Sequence, residues 1–160
     1  MKNIQIMSKS SAQKLSYKPD IEDCIVISIT DVEDTINKFH NNPKIKSILR
    51  LQFDDVDKGK LNCMTEDDAN KIINFVDRYI NSVDTIIVHC GAGVSRSAGI
   101  AAALMLILNG SDKDVFNNGK YRPNMTCYRL VLESYFGKYG ESIPEEKAHN
   151  IAAYRKLYLE

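Results

Sequence analysis

Residues 88–99 read Val-His-Cys-Gly-Ala-Gly-Val-Ser-Arg-Ser-Ala-Gly, and they lie between two strongly apolar runs. The preceding run, Thr85–Val88, is short and β-branched, which is typical of a buried strand. The following run, Ile100–Leu108, is apolar on all sides, which is typical of a buried helix. A glycine-broken turn between a strand and a helix directs backbone N–H groups and the positive end of the helix at one point. The stretch therefore predicts a pocket for an anion.

Two side chains in this turn indicate chemistry as well as binding. Cys90 begins the turn and would lie in its positive field, which lowers the pKa of a thiol and favours the thiolate at neutral pH. Arg96 ends the turn, and its planar fork of donors binds phosphate through two parallel hydrogen bonds, whereas a lysine acts as a point charge. The stretch thus combines a candidate nucleophile, an oxyanion cradle and a cation.

The same stretch resembles the signature of the protein tyrosine phosphatase superfamily. Five residues separate Cys90 from Arg96, which is the Cys-x5-Arg spacing, and the longer pattern His-Cys-x-Ala-Gly-x-Ser-Arg-Ser is similar to that of the dual-specificity branch. The matched positions are His89, Cys90, Ala92, Gly93, Ser95, Arg96 and Ser97. The Pro123-Asn124 pair, followed by a predicted helix, also resembles the dual-specificity pattern. A bare Cys-x5-Arg arises easily by chance, but seven matched positions between a strand and a helix are specific.

The resemblance implies phosphomonoester hydrolysis through a phosphocysteine, with no metal and no cofactor. Cys90 would attack phosphorus in line, while Arg96 and the amides of the loop hold the non-bridging oxygens. Ser97 would donate a hydrogen bond to the Cys90 sulfur, and His89 would orient the loop from the end of the strand. The residues implied for phosphate binding are Gly91, Ala92, Gly93, Val94, Ser95 and Arg96.

The leaving oxygen needs a proton, and a carboxylic acid on a nearby loop is the economical donor. The family places this aspartate in a loop after an earlier strand. Here Asp54, Asp55 and Asp57 all follow the apolar run Ile45–Phe53. Asp55 matches the family pattern best by its distance from the strand and from Cys90, and Asp54 and then Asp57 remain as alternatives.

Alternating apolar runs and amphipathic segments predict an α/β fold with a central, mainly parallel sheet flanked by helices, and the resemblance implies the protein tyrosine phosphatase-like fold. Strands are predicted at Ile4–Met7, Ile25–Ile29, Ile45–Phe53 and Thr85–Val88. Helices are predicted at Ser8–Leu15, at Val32–His40, after a capping box of Thr65 and Asp68, at Ile100–Leu108 and at Met125–Phe136. A further helix is predicted to begin near Pro144.

The 160 residues predict one phosphatase domain over 1–160, with its N-terminal strand and helix (1–24) and its C-terminal segment (141–160) placed by pattern alone. Lysine plus arginine and aspartate plus glutamate both total 21, which argues against a nucleic acid or an anionic membrane as partner. The N-terminus lacks a signal-peptide pattern, and the four cysteines show no metal-type spacing. We expect a cytoplasmic monomer that acts on phosphotyrosine in proteins or peptides, with phosphoserine and phosphothreonine as further candidate substrates.

Two other functions are compatible with these residues. A phosphatase-like domain can bind phosphorylated residues without turning them over, although such relatives usually lack the nucleophile or the acid, and Cys90 and Arg96 are both present. A phosphatase can also act on a phosphoinositide or an RNA 5′-phosphate. The loop between Cys90 and Arg96 lacks the lysines that lipid-directed relatives carry, so this function ranks below protein dephosphorylation.

Overall fold

Four parallel strands form the central sheet of the computed structural model, which describes residues 1–144. The strands lie side by side in the order β1-β4-β2-β3, so β4 and β2 are internal and buried along their whole lengths. All three strand pairs are parallel, which confirms the predicted α/β class and sheet. The strand bounds are β1 Asn3–Ser8, β2 Cys24–Thr30, β3 Ile45–Gln52 and β4 Thr85–Cys90.

Helices cover both faces of the sheet and divide the apolar interior into two clusters. The larger cluster lies between the sheet and the helices α2 to α5, and the smaller one is closed by Leu15 and Phe39 on the opposite face. This double covering explains why β2 and β4 read as continuous apolar runs. The helix bounds are α1 Lys9–Leu15, α2 Glu66–Tyr79, α3 Arg96–Asn109, α4 Lys113–Phe116 and α5 Met125–Lys138.

Local signals fix several helix ends as the sequence predicts. The Ser8 hydroxyl accepts a hydrogen bond from the Ser11 amide at 3.1 Å and caps α1. Thr65 and Asp68 form the predicted capping box at the start of α2. A Cβ on Gly99 would lie 2.3 Å from the Asn124 carbonyl oxygen, so this glycine lets α5 begin directly against α3. The close approach brings Asn124 to the edge of the sheet where β4 ends.

The predicted helix at Val32–His40 is wrong, because residues 31–40 form an extended loop. Side chains of neighbouring elements bind the loop carbonyls that a helix would use internally. Arg50 donates to the carbonyl oxygen of residue 37 at 2.7 Å, and Lys9 donates to that of residue 35 at 3.3 Å. Asn37 is 1% exposed, and Phe39 packs under the sheet. These tertiary contacts outweigh the weak local helix preference. We call this segment the 31–40 loop.

None of the helices within residues 1–144 is long and apolar enough to cross a membrane. The helix predicted to begin near Pro144 extends into residues 145–160, which lie outside the described part of the chain.

Candidate active site

Cys90 is the last residue of β4, and α3 begins six residues later at Arg96. The Cys90 sulfur lies 3.0 Å from the Ser97 hydroxyl in the first turn of α3. Burial alone would raise the pKa of the Cys90 thiol. Hydrogen bonds from the Ser97 hydroxyl and from the amides of Ser97 and Gly93, together with the Arg96 charge, outweigh burial and lower this pKa below its ordinary value. The site therefore favours a thiolate.

The loop 91–95 forms an anion cradle because its carbonyl groups are bound on its outer side. The Cys90 carbonyl lies 3.2 Å from the His89 ring nitrogen Nδ1, and the Gly91 carbonyl accepts from the Lys9 amide at 3.1 Å. The carbonyls of residues 94 and 95 accept from the amides of residues 122 and 124 at 3.0 and 2.9 Å. Every peptide bond within residues 1–144 is trans, and a trans peptide directs its N–H opposite to its C=O. The amides of Gly91, Ala92, Ser95 and Arg96 are therefore directed inward, as is the amide of Gly93, which donates to the Cys90 sulfur.

One glycine of the loop is required by its backbone and its surroundings. Gly93 has a φ of 73°, and a Cβ there would lie 2.6 Å from the Met7 carbonyl carbon. A side chain would therefore push the loop away from the junction of β1 and α1. Gly91 does not have a positive φ, and a Cβ there would only touch the Arg96 guanidinium at 3.7 Å.

Arg96 is held from the side away from the loop. Its side chain is 8% exposed, and Nη1 donates to the Phe53 carbonyl oxygen at 2.7 Å and to Asp31 Oδ1 at 2.6 Å. These two acceptors come from the ends of β3 and β2, which meet at the same sheet edge as the end of β4. They fix the plane of the guanidinium, which is the condition for a two-pronged contact with phosphate.

The three candidate acids differ in what they touch. Asp55 Oδ1 accepts from the Ser95 hydroxyl at 2.8 Å and from Asn124 Nδ2 at 2.9 Å, so it lies against the cradle. Asp54 instead accepts from the Val32 amide and from the Asn62 side chain, at 3.1 and 3.3 Å, and joins two loops. Asp57 is exposed and is not among the residues that line the cleft described next. The geometry thus favours Asp55 as the acid.

An open cleft of about 640 Å³ leads to Arg96. Five of the residues that line it carry carboxylates, and Arg96 is the only cation among the lining residues found within 1–144. No group of three or more histidine, cysteine, aspartate or glutamate side chains in this part of the chain is placed to hold a metal ion. The lining residues are Asp31, Glu33, Asp34, Asp54, Asp55, Val56 and Arg96.

The family model described as dual specificity phosphatase, catalytic domain, matches residues 4–123. The chain belongs to this family. The match includes the segment 4–24, which the sequence analysis placed by pattern alone, and it ends just before α5. No curated protein sequence matches the chain.

Solved structures of other proteins share the fold at low sequence identity. The human tyrosine phosphatase-like serine/threonine/tyrosine-interacting protein aligns with a TM-score of 0.62 and 22% identity, covering 86% of this chain and 93% of its own. Human DUSP28 aligns with a TM-score of 0.59 and 14% identity, over 87% and 95%. PTPMT1 in complex with PI(5)P aligns with a TM-score of 0.53 and 17% identity, over 86% and 93%. These likenesses confirm the predicted phosphatase-like fold.

In this dual specificity phosphatase domain, His89 is buried and neutral. Burial, with smaller contributions from the nearby cations Lys9, Arg50 and Arg96, lowers the pKa of the imidazole to about 4 despite the hydrogen bond to the Cys90 carbonyl. With Nδ1–H donating to the Cys90 carbonyl, Nε2 is an acceptor. It lies 2.6 Å from the Ser28 hydroxyl and 3.3 Å from Asn37 Nδ2.

Four side chains that contact the predicted site residues were not predicted from the sequence. Asp31 binds Arg96, Asn124 binds Asp55, and Ser28 and Asn37 bind His89. Asp31 lies two residues after the predicted strand Ile25–Ile29, and the carboxyl ends of parallel strands share one sheet edge, so its position in the sequence could have indicated this contact. Asn124 belongs to the Pro-Asn pair already singled out, but its contact with Asp55 spans 69 positions and has no local signal.

Proposed function

We propose that the chain hydrolyses phosphorylated proteins through a phosphocysteine formed on Cys90. The observation that supports this is the position of the Cys90 sulfur at the floor of an amide cradle that lowers the pKa of its thiol. Asp55 is hydrogen-bonded to Ser95 at the rim of the same cradle. In the first step the sulfur attacks phosphorus and the bond from phosphorus to the leaving oxygen breaks. Asp55 gives its proton to that oxygen, while Arg96 and the loop amides hold the other three oxygens.

The second step releases inorganic phosphate and restores the thiolate. A water molecule attacks the phosphorus of the phosphocysteine, and Asp55, now a carboxylate, takes the proton of that water. The sulfur–phosphorus bond breaks and the electron pair returns to Cys90. Ser97, 3.0 Å from the sulfur, donates the hydrogen bond that stabilises the departing thiolate. Neither step requires a metal ion.

The charge of the cleft supports a protein substrate over a polyanionic one. Besides Asp55, which carries the proton in the first step, four carboxylates line the approach to Arg96, and they add repulsion to a substrate that carries several phosphates, such as a phosphoinositide or an RNA end. A phosphorylated side chain with a lysine or arginine beside it brings one phosphate to the cradle and a cation to the carboxylates. We therefore propose phosphoproteins with basic neighbours as the substrate class.

Turnover by the purified protein tests this proposal. We expect hydrolysis of aryl phosphate and of phosphopeptides, inhibited by orthovanadate, with slower release of phosphate from phosphoinositides and RNA 5′ ends. A preference for the lipid or the RNA would overturn the protein substrate. Phosphate-dependent peptide binding without turnover would instead support the phosphate-binding module. We also propose a reducing compartment such as the cytoplasm, because all four cysteines, including Cys90, are free thiols.

Asp55→Asn is expected to lower kcat by about 10²- to 10³-fold, because the amide cannot donate a proton to the leaving oxygen. The loss should be largest on the acidic side of the wild-type pH optimum. The descending limb of the pH–rate profile, which reports deprotonation of that acid, should disappear. Steady-state kinetics over a pH series check this, with Asp57→Asn as the control. A normal profile in Asp55→Asn would move the acid to Asp54 or Asp57, and a flattened profile in Asp57→Asn would select Asp57.

Glu33→Lys is expected to change peptide preference by about two- to fivefold without changing hydrolysis of a small aryl phosphate. Glu33 lines the cleft and is exposed, and it is not part of the cradle. Wild type should dephosphorylate peptides with basic residues beside the phosphorylated side chain faster than peptides with acidic residues there. The variant should show a smaller difference between the two rates, or the opposite order. Glu141→Lys is the control, since it lies beyond the far end of α5, about 20 Å along that helix from Asn124. Unchanged preference in Glu33→Lys would contradict this assignment.

A further inference from the structure

A buried polar cluster lies behind the cradle, and its role does not follow from the mechanism above. Asn37 in the 31–40 loop is 1% exposed, and its Nδ2 lies 3.3 Å from His89 Nε2 and 3.5 Å from the Lys9 carbonyl oxygen. Its Oδ1 has no hydrogen-bond partner in the described structure. An unpaired buried carbonyl costs stability, so the position of this amide is not explained by stability alone.

The chemistry of each group decides which one fixes the imidazole. The Ser28 hydroxyl, 2.6 Å from Nε2, can donate or accept and would suit either tautomer of the ring. The Asn37 amide nitrogen can only donate. Its second contact, with the Lys9 carbonyl, fixes which end of the amide faces the ring, because a carbonyl oxygen there would face another carbonyl. Of the two groups at Nε2, Asn37 is therefore the one that requires an acceptor there, and the Cys90 carbonyl, which can only accept, matches this by taking the proton of Nδ1.

The charges around His89 agree with a neutral ring. Lys9 on α1, Arg50 on β3 and Arg96 on α3 all disfavour a second proton on it. With its single proton on Nδ1, His89 holds the Cys90 carbonyl on the outer side at 3.2 Å. The N–H of the same trans peptide, which belongs to Gly91, then points into the cradle.

We propose that Asn37 is a positioning residue of the phosphate cradle, which it aligns by fixing the tautomer of His89 and so the orientation of the Cys90–Gly91 peptide. The inference rests on the proposed phosphatase function. The same loop also supplies Asp31, which holds Arg96 through the 2.6 Å ion pair. The 31–40 loop thus contacts both ends of the stretch that binds phosphate, at His89 and at Arg96.

A pair of buried asparagines provides the test and its control. Asn42 is 7% exposed, and its Nδ2 donates to the carbonyls of Ser16 and Lys18, away from His89. Asn37→Ala and Asn42→Ala should both lower the melting temperature, because each removes a buried amide. We expect only Asn37→Ala to lower kcat/KM, by about tenfold, and to slow alkylation of Cys90 by iodoacetamide at mildly acidic pH by a similar factor.

Two readouts separate positioning from a general loss of structure. Protection of Cys90 from alkylation should require a higher concentration of orthovanadate in Asn37→Ala than in wild type or Asn42→Ala. NMR of the imidazole nitrogens should show Nδ1–H alone in wild type and a mixture of tautomers in Asn37→Ala. Asn37→Asp keeps the shape and removes the donor, so it should raise the pKa of His89 above the wild-type value of about 4 and slow alkylation in the same way.

Equal effects of the two alanine variants, or normal Cys90 reactivity in Asn37→Ala and Asn37→Asp, would overturn the positioning role. The alkylation and vanadate measurements need no turnover. A wild-type protein that hydrolyses nothing, yet shows the expected difference between the asparagine variants, would contradict the proposed function and support the inference.

Discussion

Cys90→Ser is expected to abolish hydrolysis, with kcat for an aryl phosphate falling by about 10⁴-fold or more. A serine hydroxyl has a far higher pKa than a thiol, and the hydrogen bonds that stabilise a thiolate here cannot make it an alkoxide at neutral pH. The amides of the loop and Arg96 remain in place, so phosphopeptide binding should persist. Steady-state turnover and a binding titration with a labelled phosphopeptide measure the two halves of this prediction.

Cys63→Ser is the matched control, because Cys63 is half-buried in the loop that follows Asp54 and lies outside the cradle. Its kcat should equal that of wild type within a factor of two or so, which is the usual effect of a substitution away from a site. Turnover in Cys90→Ser above about one part in a hundred, after exclusion of contaminating enzyme, would show that another group is the nucleophile.

Arg96→Lys is expected to lower kcat/KM by about 10³-fold, although the charge is kept. The guanidinium binds the Phe53 carbonyl and Asp31 through one nitrogen, at 2.7 and 2.6 Å, and its planar shape allows the fork to reach phosphate at the same time. A lysine ammonium is a single point that cannot meet all three partners. Inhibition by orthovanadate should weaken along with kcat/KM, since both depend on the same contacts.

Arg78→Lys is the control for this change, because Arg78 lies in the last turn of α2, where its guanidinium packs over the Tyr79 ring. It should leave kcat/KM and vanadate inhibition unaltered. If Arg96→Lys loses activity while its vanadate inhibition stays normal, Arg96 acts on something other than the phosphoryl oxygens. Melting temperatures of both variants identify any loss that comes from unfolding.

Much of the fold could be predicted because its signals are local. β2 and β4 are internal strands of a parallel sheet with both faces covered, so their residues form unbroken β-branched runs. The helix α2 begins at a capping box formed by residues three positions apart, and its apolar residues recur at helical spacing. Strand β4 extends two residues beyond its predicted end, through Cys90, because pairing with β1 continues there.

The 31–40 loop was mispredicted because its structure depends on partners elsewhere in the chain. Its apolar residues Ile36 and Phe39 have the spacing of a short helix. Arg50, Lys9 and Gln13 bind its carbonyls from β3 and α1, and Asn37 is drawn under the sheet towards His89. The helix propensity of such a short segment contributes less to the free energy of folding than these contacts do.

The sequence by itself determined the positions of the candidate nucleophile, the cation and the amide cradle, because all three lie within the nine residues from His89 to Ser97. A strand, a glycine turn and a helix in direct succession leave little freedom in how their backbone groups are directed. Only the tertiary structure decided which acid meets the cradle, because Asp54, Asp55 and Asp57 are chemically alike and differ in their partners. The contacts of Asp55 with Asn124, of Asp31 with Arg96 and of Asn37 with His89 join segments more than fifty positions apart. Local pattern cannot encode such pairs, since the packing of the sheet edge and the helices brings them together.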